Sequence, residues 1–140
     1  VSGDAGAEIQ IAAAHRGAAF GDLDNDGRID VVVSRFDEPA EVFKNVSPGE
    51  NHWLTIKTEG RSSNRDGIGA RIRLETASAV QYNHVTTSVG YASASDRRVH
   101  FGLGKDEVVK SLEIVWPSGR RQELRNIRGD QILAIVEPNP

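Results

Sequence analysis

The sequence predicts an all-β fold, a two-sheet antiparallel sandwich preceded by an N-terminal β-hairpin that carries a calcium loop. Three observations lead to this prediction. From residue 52 onward, apolar and polar residues alternate in seven short segments that glycine- and proline-rich turns separate. No segment keeps a helical period for more than a turn. Near the N-terminus, aspartates at alternate positions lie between two apolar segments. With 140 residues, the chain has the size of one ordinary domain, or of one small domain with an appendage.

The aspartates form the motif Asp-Leu-Asp-Asn-Asp-Gly-Arg-Ile-Asp at residues 22–30, with carboxylates at positions 1, 3, 5 and 9. Carboxylates this close repel one another, and a hard divalent cation removes the repulsion. Calcium takes six to eight oxygen ligands in irregular geometry, which a short aspartate loop can supply. Gly27 at position 6 allows the sharp turn. The predicted ligands are Asp22, Asp24, Asp26, the backbone carbonyl of Arg28, and Asp30.

Other interpretations of this motif fit less well. An EF-hand needs a glutamate at position 12 and flanking helices, but position 12 is Val33 and both flanks are strand-like. Magnesium demands stricter octahedral geometry and keeps its waters. A solvated acidic turn without an ion is the alternative that the sequence leaves open.

The first third of the chain predicts three strands. The pattern of residues 17–45 predicts, in order, a strand, the aspartate loop and a second strand. A turn at Asp37-Glu38-Pro39 and a third strand through Val42-Phe43 follow. The alanine run at residues 12–14 fits either a short strand or a helical turn. The segment at residues 45–51, with Ser-Pro-Gly at its centre, is the best boundary, so we expect two units, residues 1–50 and 51–140.

The second unit predicts the seven strands of the sandwich. They fall at residues 53–58, 68–75, 80–89, 99–104, 111–116, 120–124 and 131–136. Alternation places Ile68, Ala70, Ile72 and Leu74 on one face of the second of these strands. The side chains expected in the core also include Leu112, Ile114, Trp116, Leu133 and Ile135.

Composition narrows the class of protein. There is no cysteine, so disulfides and thiolate chemistry are excluded and the redox compartment cannot be inferred. No apolar run is long enough to span a membrane. The net charge of −3 divides into −6 for residues 1–50 and +3 for residues 51–140. The scattered arginines of the second part are typical of a solvated face. Because the sequence starts at Val1 and contains no methionine, we expect a processed product or a fragment.

The motif blocks resemble two known modules. Residues 17–30, from Gly17-Ala18-Ala19-Phe20-Gly21 through the aspartate motif, resemble an FG-GAP (VCBS-type) repeat, which forms propeller blades. Residues 51–140 resemble an ASPIC/UnbV domain of the cartilage acidic protein-like family. The matching blocks are His52-Trp53-Leu54, Asn64-Arg65-Asp66-Gly67-Ile68-Gly69-Ala70-Arg71, His100-Phe101-Gly102-Leu103-Gly104, and Trp116-Pro117-Ser118-Gly119.

The resemblance implies an extracellular or periplasmic, calcium-containing, non-catalytic module, with Asp22, Asp24, Asp26, Arg28 and Asp30 as the calcium ligands. A propeller needs about four to eight blades, and 50 residues hold one repeat. We therefore expect a partial blade from the C-terminal part of a longer protein, monomeric as a fragment. We also expect the hairpin to dock on the sandwich and to bury its apolar face there.

Catalytic motifs are poorly represented. The four histidines, His15, His52, His84 and His100, have no metal-ligand spacing, and His100 is expected to pack rather than to act as a base. No serine lies in a Gly-x-Ser-x-Gly elbow. The Asn64-Arg65-Asp66-Gly67 segment is expected to form a turn rather than a second cation site.

Two further motifs have ordinary structural explanations. Trp53 and Trp116 are expected in the core rather than on a sugar-binding face. The integrin-type tripeptide Arg128-Gly129-Asp130 is expected to be a chance match in a turn.

These observations favour a calcium-stabilised extracellular module for adhesion or ligand binding, which is not an enzyme. Its partner would be an unknown extracellular protein or glycan, with no nucleic acid and no membrane span. The alternative is an accessory domain of a secreted polysaccharide-active enzyme. A third hypothesis is a binder of anionic glycans through Arg97, Arg98, Arg120 and Arg121.

Overall fold

The computed structural model describes residues 6–139 and shows an all-β fold, as predicted. A short 3-10 turn at Glu8–Gln10 precedes the first strand, and residues 12–14 belong to neither a helix nor a strand. The strands are β1 His15–Gly21, β2 Asp30–Arg35, β3 Glu38–Phe43, β4 His52–Glu59, β5 Arg71–Glu75, β6 Val80–His84, β7 Val99–Gly104, β8 Val108–Val115, β9 Arg121–Arg128 and β10 Gln131–Val136.

These strands form three sheets. β1, β2 and β3 form an antiparallel N-terminal sheet, whereas the seven later strands form a sandwich of a three-stranded sheet, in the order β10-β4-β7, and a four-stranded sheet, in the order β6-β5-β8-β9. The prediction of a purely antiparallel sandwich is wrong in one place, because β10 pairs with β4 in parallel, with Gln131 opposite Leu54. The turn after β9 carries the chain from one sheet to the other, so β10 does not continue the β8–β9 hairpin.

The core lies between the two sheets of the sandwich. Leu54 and Ile56 of β4 and Phe101 of β7 face Ile72 and Leu74 of β5 across it, and all five are almost fully buried. The other buried apolar residues of this core are Ala70, Val85, Val99, Leu103, Val109, Leu112, Ile114, Trp116, Ile127 and Ile135. Of the side chains predicted in the core, Ala70, Ile72, Leu74, Leu112, Ile114, Trp116 and Ile135 are confirmed. Leu133 is only partly buried against the cluster, and Ile68 and Trp53 lie outside it.

Two predicted strands are shorter in the structure. Residues 68–70 form a turn, and Ile68 is 37% exposed rather than on the core face. Gly67 and Gly69 on either side of it have positive φ angles of 67° and 94°, which bend the chain before β5 begins. Asn64 closes this turn, since its side chain accepts a hydrogen bond from the N–H of Ile68 and donates one to the carbonyl of the same residue, both at 2.8 Å. β6 ends at His84, because the Thr86 and Ser88 segment turns away.

The N-terminal sheet differs from the sandwich in its burial. Its β2–β3 turn consists of Phe36 and Asp37, and Pro39 lies in the edge strand β3, a position that tolerates proline. Phe20 is 47% exposed and Val42 is 61% exposed. The strand register puts these two side chains on opposite faces of the sheet, and Val31 and Phe43 in the row of Phe20 are half-buried. The expected burial of an apolar face against the sandwich is therefore incomplete.

A buried carboxylate ties the C-terminal end of β10 to two loops. Glu137 is 1% exposed, and its Oε2 atom accepts hydrogen bonds of 2.8 Å from the backbone N–H groups of Arg61, Ser62 and Ser63. Its Oε1 atom accepts bonds from the hydroxyls of Ser63 and Ser118. Burial acts to raise the pKa of Glu137, but these hydrogen bonds outweigh it and lower the pKa to about 2.

The low pKa of Glu137 predicts a defined pH dependence of stability. The group titrates near its ordinary value of 4.5 when unfolded and at about 2 when folded. Its contribution to the free energy of unfolding is therefore fully present above pH 4.5 and is lost as the pH falls towards 2. Urea unfolding of the wild type and of Glu137→Gln between pH 2 and 7 measures this. We expect the variant to be less stable at neutral pH and the difference to shrink as the pH falls; a constant difference would contradict the assignment.

Candidate metal site and its anchoring

The aspartate loop, residues 22–30, connects β1 to β2 at one end of the N-terminal sheet. Asp22 follows the last residue of β1, and Asp30 is the first residue of β2, so the antiparallel pairing of the two strands brings both ends of the loop together. Carboxylate oxygens of Asp22, Asp24 and Asp30 lie within 4.8 Å of one another. Asp22 and Asp30 are 3% and 2% exposed, whereas Asp24 faces solvent. The structure therefore brings the carboxylates of three of the five predicted ligands close together.

Backbone N–H groups hold the two buried carboxylates in place. Asp22 accepts hydrogen bonds from the N–H groups of Asp26 and Gly27 at 3.0 and 2.9 Å. Asp30 accepts them from Leu23 at 3.0 Å and from Asn45 at 2.8 Å, the latter coming from the segment after β3. Charge-assisted bonds of this kind offset part of the cost of burying a carboxylate.

The remaining two predicted ligands are arranged differently. Asp26 lies outside the three-carboxylate cluster and accepts hydrogen bonds from the backbone N–H of Arg28 at 2.8 Å and from its guanidinium at 3.0 Å. Arg28 also donates a bond to the carbonyl of Ser47. The donor set is nonetheless all oxygen, and two of its members are buried, which fits a hard cation such as calcium.

Lys44 lies beside the cluster, and the spacing of the aspartate motif does not predict it. Its ammonium pairs with Asp24 and lies 3.9 Å from a carboxylate oxygen of Asp26. The hydrogen bond with Asp24 raises the pKa of Lys44, and the same contact lowers the pKa of Asp24. A positive charge is thus already placed at the open side of the cluster. Lys44 directly follows β3, and only the pairing of β3 with β2 brings it to the loop.

Gly27 is the point where the loop touches the sandwich. It has a φ angle of 85°, and a Cβ atom added there would overlap the indole ring of Trp53 in β4. The Trp53 ring in turn stacks on His100 of β7, with centroids 6.1 Å apart and an interplanar angle of 19°. Trp53 is therefore half-buried between the two units rather than in the core, whereas Trp116 lies in the core as predicted.

His100 packs, as predicted. Its Nδ1 atom lies 2.9 Å from the hydroxyl of Thr55. Burial lowers its pKa, an effect that Asp22 opposes and Arg98 reinforces. The ring is thus neutral at neutral pH and serves as a packing surface for Trp53.

Arg98 anchors the loop from the other side. Its guanidinium donates hydrogen bonds of 2.7 Å to the carbonyl of Asp22 and to the side chain of Asn25, and it pairs with Asp96 at 2.6 Å. The backbone of Phe20 in β1 accepts a hydrogen bond from the N–H of Asp96 at 2.9 Å. The N-terminal sheet therefore docks on the sandwich through polar contacts with residues 95–98.

The arginines proposed for anionic glycans each have protein partners. Arg97 pairs with Asp66, Arg120 donates to the carbonyl of Pro138, and Arg121 pairs with Glu113. Together with Arg98 at the aspartate loop, they do not form one free basic face.

The Arg128-Gly129-Asp130 tripeptide forms the tight turn between β9 and β10, as expected. Asp130 lies 2.6 Å from Nδ1 of His52 and accepts a hydrogen bond from the N–H of Trp53. Gly129 donates a hydrogen bond to the carbonyl of Glu107. These contacts hold the tripeptide against β4 rather than in a projecting loop.

Sequence comparisons assign the class of protein. Residues 60–140 match the family model described as ASPIC and UnbV, and the chain belongs to this family. The chain is 30% identical to human cartilage acidic protein 1 over 125 residues, which is 86% of this chain and 18% of that protein. It is 34% identical to cartilage acidic protein 1 of Xenopus tropicalis over 110 residues, 74% of this chain and 16% of that protein. The chain thus spans less than a fifth of the length of these relatives.

The close approach of Trp53 to Gly27 predicts a strong effect of a single methyl group. Gly27→Ala should destabilise the fold by roughly 1–3 kcal/mol, because the new Cβ atom overlaps the indole and the φ angle disfavours alanine. Urea unfolding followed by tryptophan fluorescence measures this. Gly49→Ala is the matched control, since a Cβ atom there meets open space. Equal stability of the two variants would refute the contact.

Arg97 and Arg98 are adjacent, but their substitution should destabilise the fold to different extents. Arg98→Ala should lower the free energy of unfolding by roughly 1–3 kcal/mol, because it leaves two loop oxygens without their charged donor. Arg97→Ala removes one exposed ion pair and should cost at most about 1 kcal/mol. Denaturant melts of both variants test the ranking, and a larger loss for Arg97→Ala would show that Arg98 does not anchor the loop.

Proposed function

We propose that this chain is a calcium-stabilised, non-catalytic extracellular module for adhesion or ligand binding within a longer protein. The observation that carries the proposal is the cluster of Asp22, Asp24 and Asp30, whose carboxylate oxygens lie within 4.8 Å of one another. Two of these carboxylates are buried at the junction of two strands. Such a cluster concentrates negative charge that a divalent cation would neutralise.

The role of calcium in this proposal is structural. Calcium would join the first residue of β2 to the loop that leaves β1, and would displace the Lys44 ammonium from Asp24. Because the same loop contacts Trp53 through Gly27 and Arg98 through Asp22, calcium would also support the docking of the N-terminal sheet. A ligand that binds only the folded state stabilises that state by an amount that grows with the logarithm of the ratio of free ligand to its dissociation constant.

The extracellular assignment rests on the relatives. Both are named for cartilage, a tissue that consists largely of extracellular matrix. In the described part of the chain, no helix is long and apolar enough to cross a membrane. The activity, partners and location of the whole protein belong to this proposal, because the relatives are more than five times longer than the segments they share with this chain.

Calcium should therefore raise the stability of the chain. At a free calcium concentration one hundred times the dissociation constant, we expect a gain of about 2.7 kcal/mol over the same protein in excess chelator. Asp24→Ala together with Asp26→Ala should abolish the gain, since both are predicted ligands and Asp24 belongs to the three-carboxylate cluster. Thermal melts with calcium and with chelator measure it.

Glu50→Ala together with Asp37→Ala is the control, because it removes the same number of negative charges at exposed positions outside the aspartate loop. Its calcium response should equal that of the wild type. Identical melting curves of the wild-type chain in calcium and in chelator would overturn the proposal.

A further inference from the structure

The outward face of the four-stranded sheet forms a shallow groove that the calcium proposal does not use. This outer groove has a volume of about 680 Å³. The strand register places His84 of β6, Arg71 of β5, Val115 of β8 and Arg121 of β9 in one row across the sheet. Adjacent strands are about 4.8 Å apart, so this row spans roughly 14 Å.

The next row of the same face carries an exposed aromatic ring. Tyr82 lies in the middle of β6, is 74% exposed, and stands opposite Arg73 of β5. Arg73 donates a hydrogen bond to Glu75 at 2.7 Å, and bonds with Glu75 and then with the Tyr82 hydroxyl raise its pKa. Tyr82 therefore presents its ring to solvent from a regular strand, with its polar end held by a neighbouring guanidinium.

Arg71 is the arginine of the outer groove that has no ion-pair partner in the described part of the chain. Among residues 6–139, no carboxylate lies within ion-pair distance of its guanidinium, whereas Arg73 is paired with Glu75 and Arg121 with Glu113. Arg71 is exposed and lies on a central strand, between His84 and Val115. An arginine fork of this kind matches the geometry of a carboxylate or a sulfate.

The combination of features indicates the chemistry of a ligand. An exposed aromatic ring on a flat sheet offers an apolar surface to the C–H face of a sugar ring. The pre-positioned planar groups of Arg73 and Glu113 offer several hydrogen-bond donors and acceptors to hydroxyl groups. The unpaired charge of Arg71 favours an anionic group at the centre of the groove. A neutral sugar would leave this charge without a partner.

We propose that the outer groove binds an acidic oligosaccharide, with a sugar ring stacked on Tyr82 and a carboxylate or sulfate group held by Arg71. This proposal names a ligand class for the binding module proposed above and rests on that part of the proposed function. It does not depend on calcium, because the groove lies on the sandwich and contains no residue of the aspartate loop.

Titration calorimetry on the 140-residue chain at low ionic strength tests the groove. The probes are a hyaluronan hexasaccharide, which carries carboxylates, a chondroitin 4-sulfate hexasaccharide, which adds sulfates, and neutral cellohexaose. We expect binding of at least one acidic sugar, weakened by added salt, and no binding of cellohexaose. Binding of both acidic sugars would show that carboxylates suffice, and binding of the sulfated sugar alone would assign Arg71 to sulfate.

Single substitutions locate the site. Arg71→Gln and Tyr82→Ala should each weaken binding by roughly tenfold or more, as expected for the loss of a charged hydrogen bond or a stacking surface. Arg65→Gln, a change of equal charge at an exposed loop position outside the groove, should leave the affinity unchanged. Melting curves confirm that each variant is folded.

Several results would overturn the groove proposal. They are failure of both acidic sugars to bind, equal weakening by Arg65→Gln and Arg71→Gln, or equally tight binding of a hexaglutamate peptide, which would show general attraction of anions. Each titration is run in calcium and in chelator. A missing calcium effect on stability would refute the metal site alone, whereas a missing sugar signal in both buffers would refute the groove alone.

Discussion

Buried carboxylates that accept hydrogen bonds from backbone N–H groups organise the loops at both ends of this molecule. Asp22 and Asp30 accept four such bonds between them and thereby fold the aspartate loop and tie it to the segment after β3. Glu137 accepts three from residues 61–63 and joins the last strand to the first loop of the sandwich. A buried negative charge is expensive unless such donors converge on it. At both ends, the loops are folded so that several backbone N–H groups reach a buried carboxylate.

The contact between the two units shows the same preference for polar interactions. The apolar side chains of the N-terminal sheet stay partly exposed, while Arg98 bonds to the loop carbonyl of Asp22 and the Trp53 ring rests on Gly27. These contacts use the backbone of the loop, so they require the loop to hold one shape. Through the Trp53 ring and its stacking on His100, the aspartate loop is in contact with β4 and β7. The contact between the ASPIC and UnbV sandwich and the N-terminal sheet thus depends on a few residues.

Much of this architecture was predictable from local sequence pattern. Strict alternation identified β8 and the burial of Leu112 and Ile114, and the aspartate spacing identified the loop that joins β1 to β2. The direction of β10 and the position of Lys44 were not predicted, because distant segments decide them. The parallel pairing of β10 with β4 depends on where the turn after β9 directs the chain. Lys44 reaches Asp24 only through the pairing of β3 with β2, and Ile68 was misplaced because the neighbouring glycines bend the chain before the strand starts.

The parallel pairing of β10 with β4 also has a consequence for how the polypeptide folds during synthesis. Gln131 lies opposite Leu54, so β10 joins the sheet beside β4 only when residues separated by most of the sandwich sequence meet. Closing such a long loop carries a large entropic cost, and contacts between distant segments slow folding. During synthesis, β4 therefore leaves the ribosome long before β10 has been made. Until then, the backbone N–H and C=O groups on that side of β4 remain unpaired. A sandwich that lacks β10 would leave this side of β4 unpaired and open to pairing with other polypeptides.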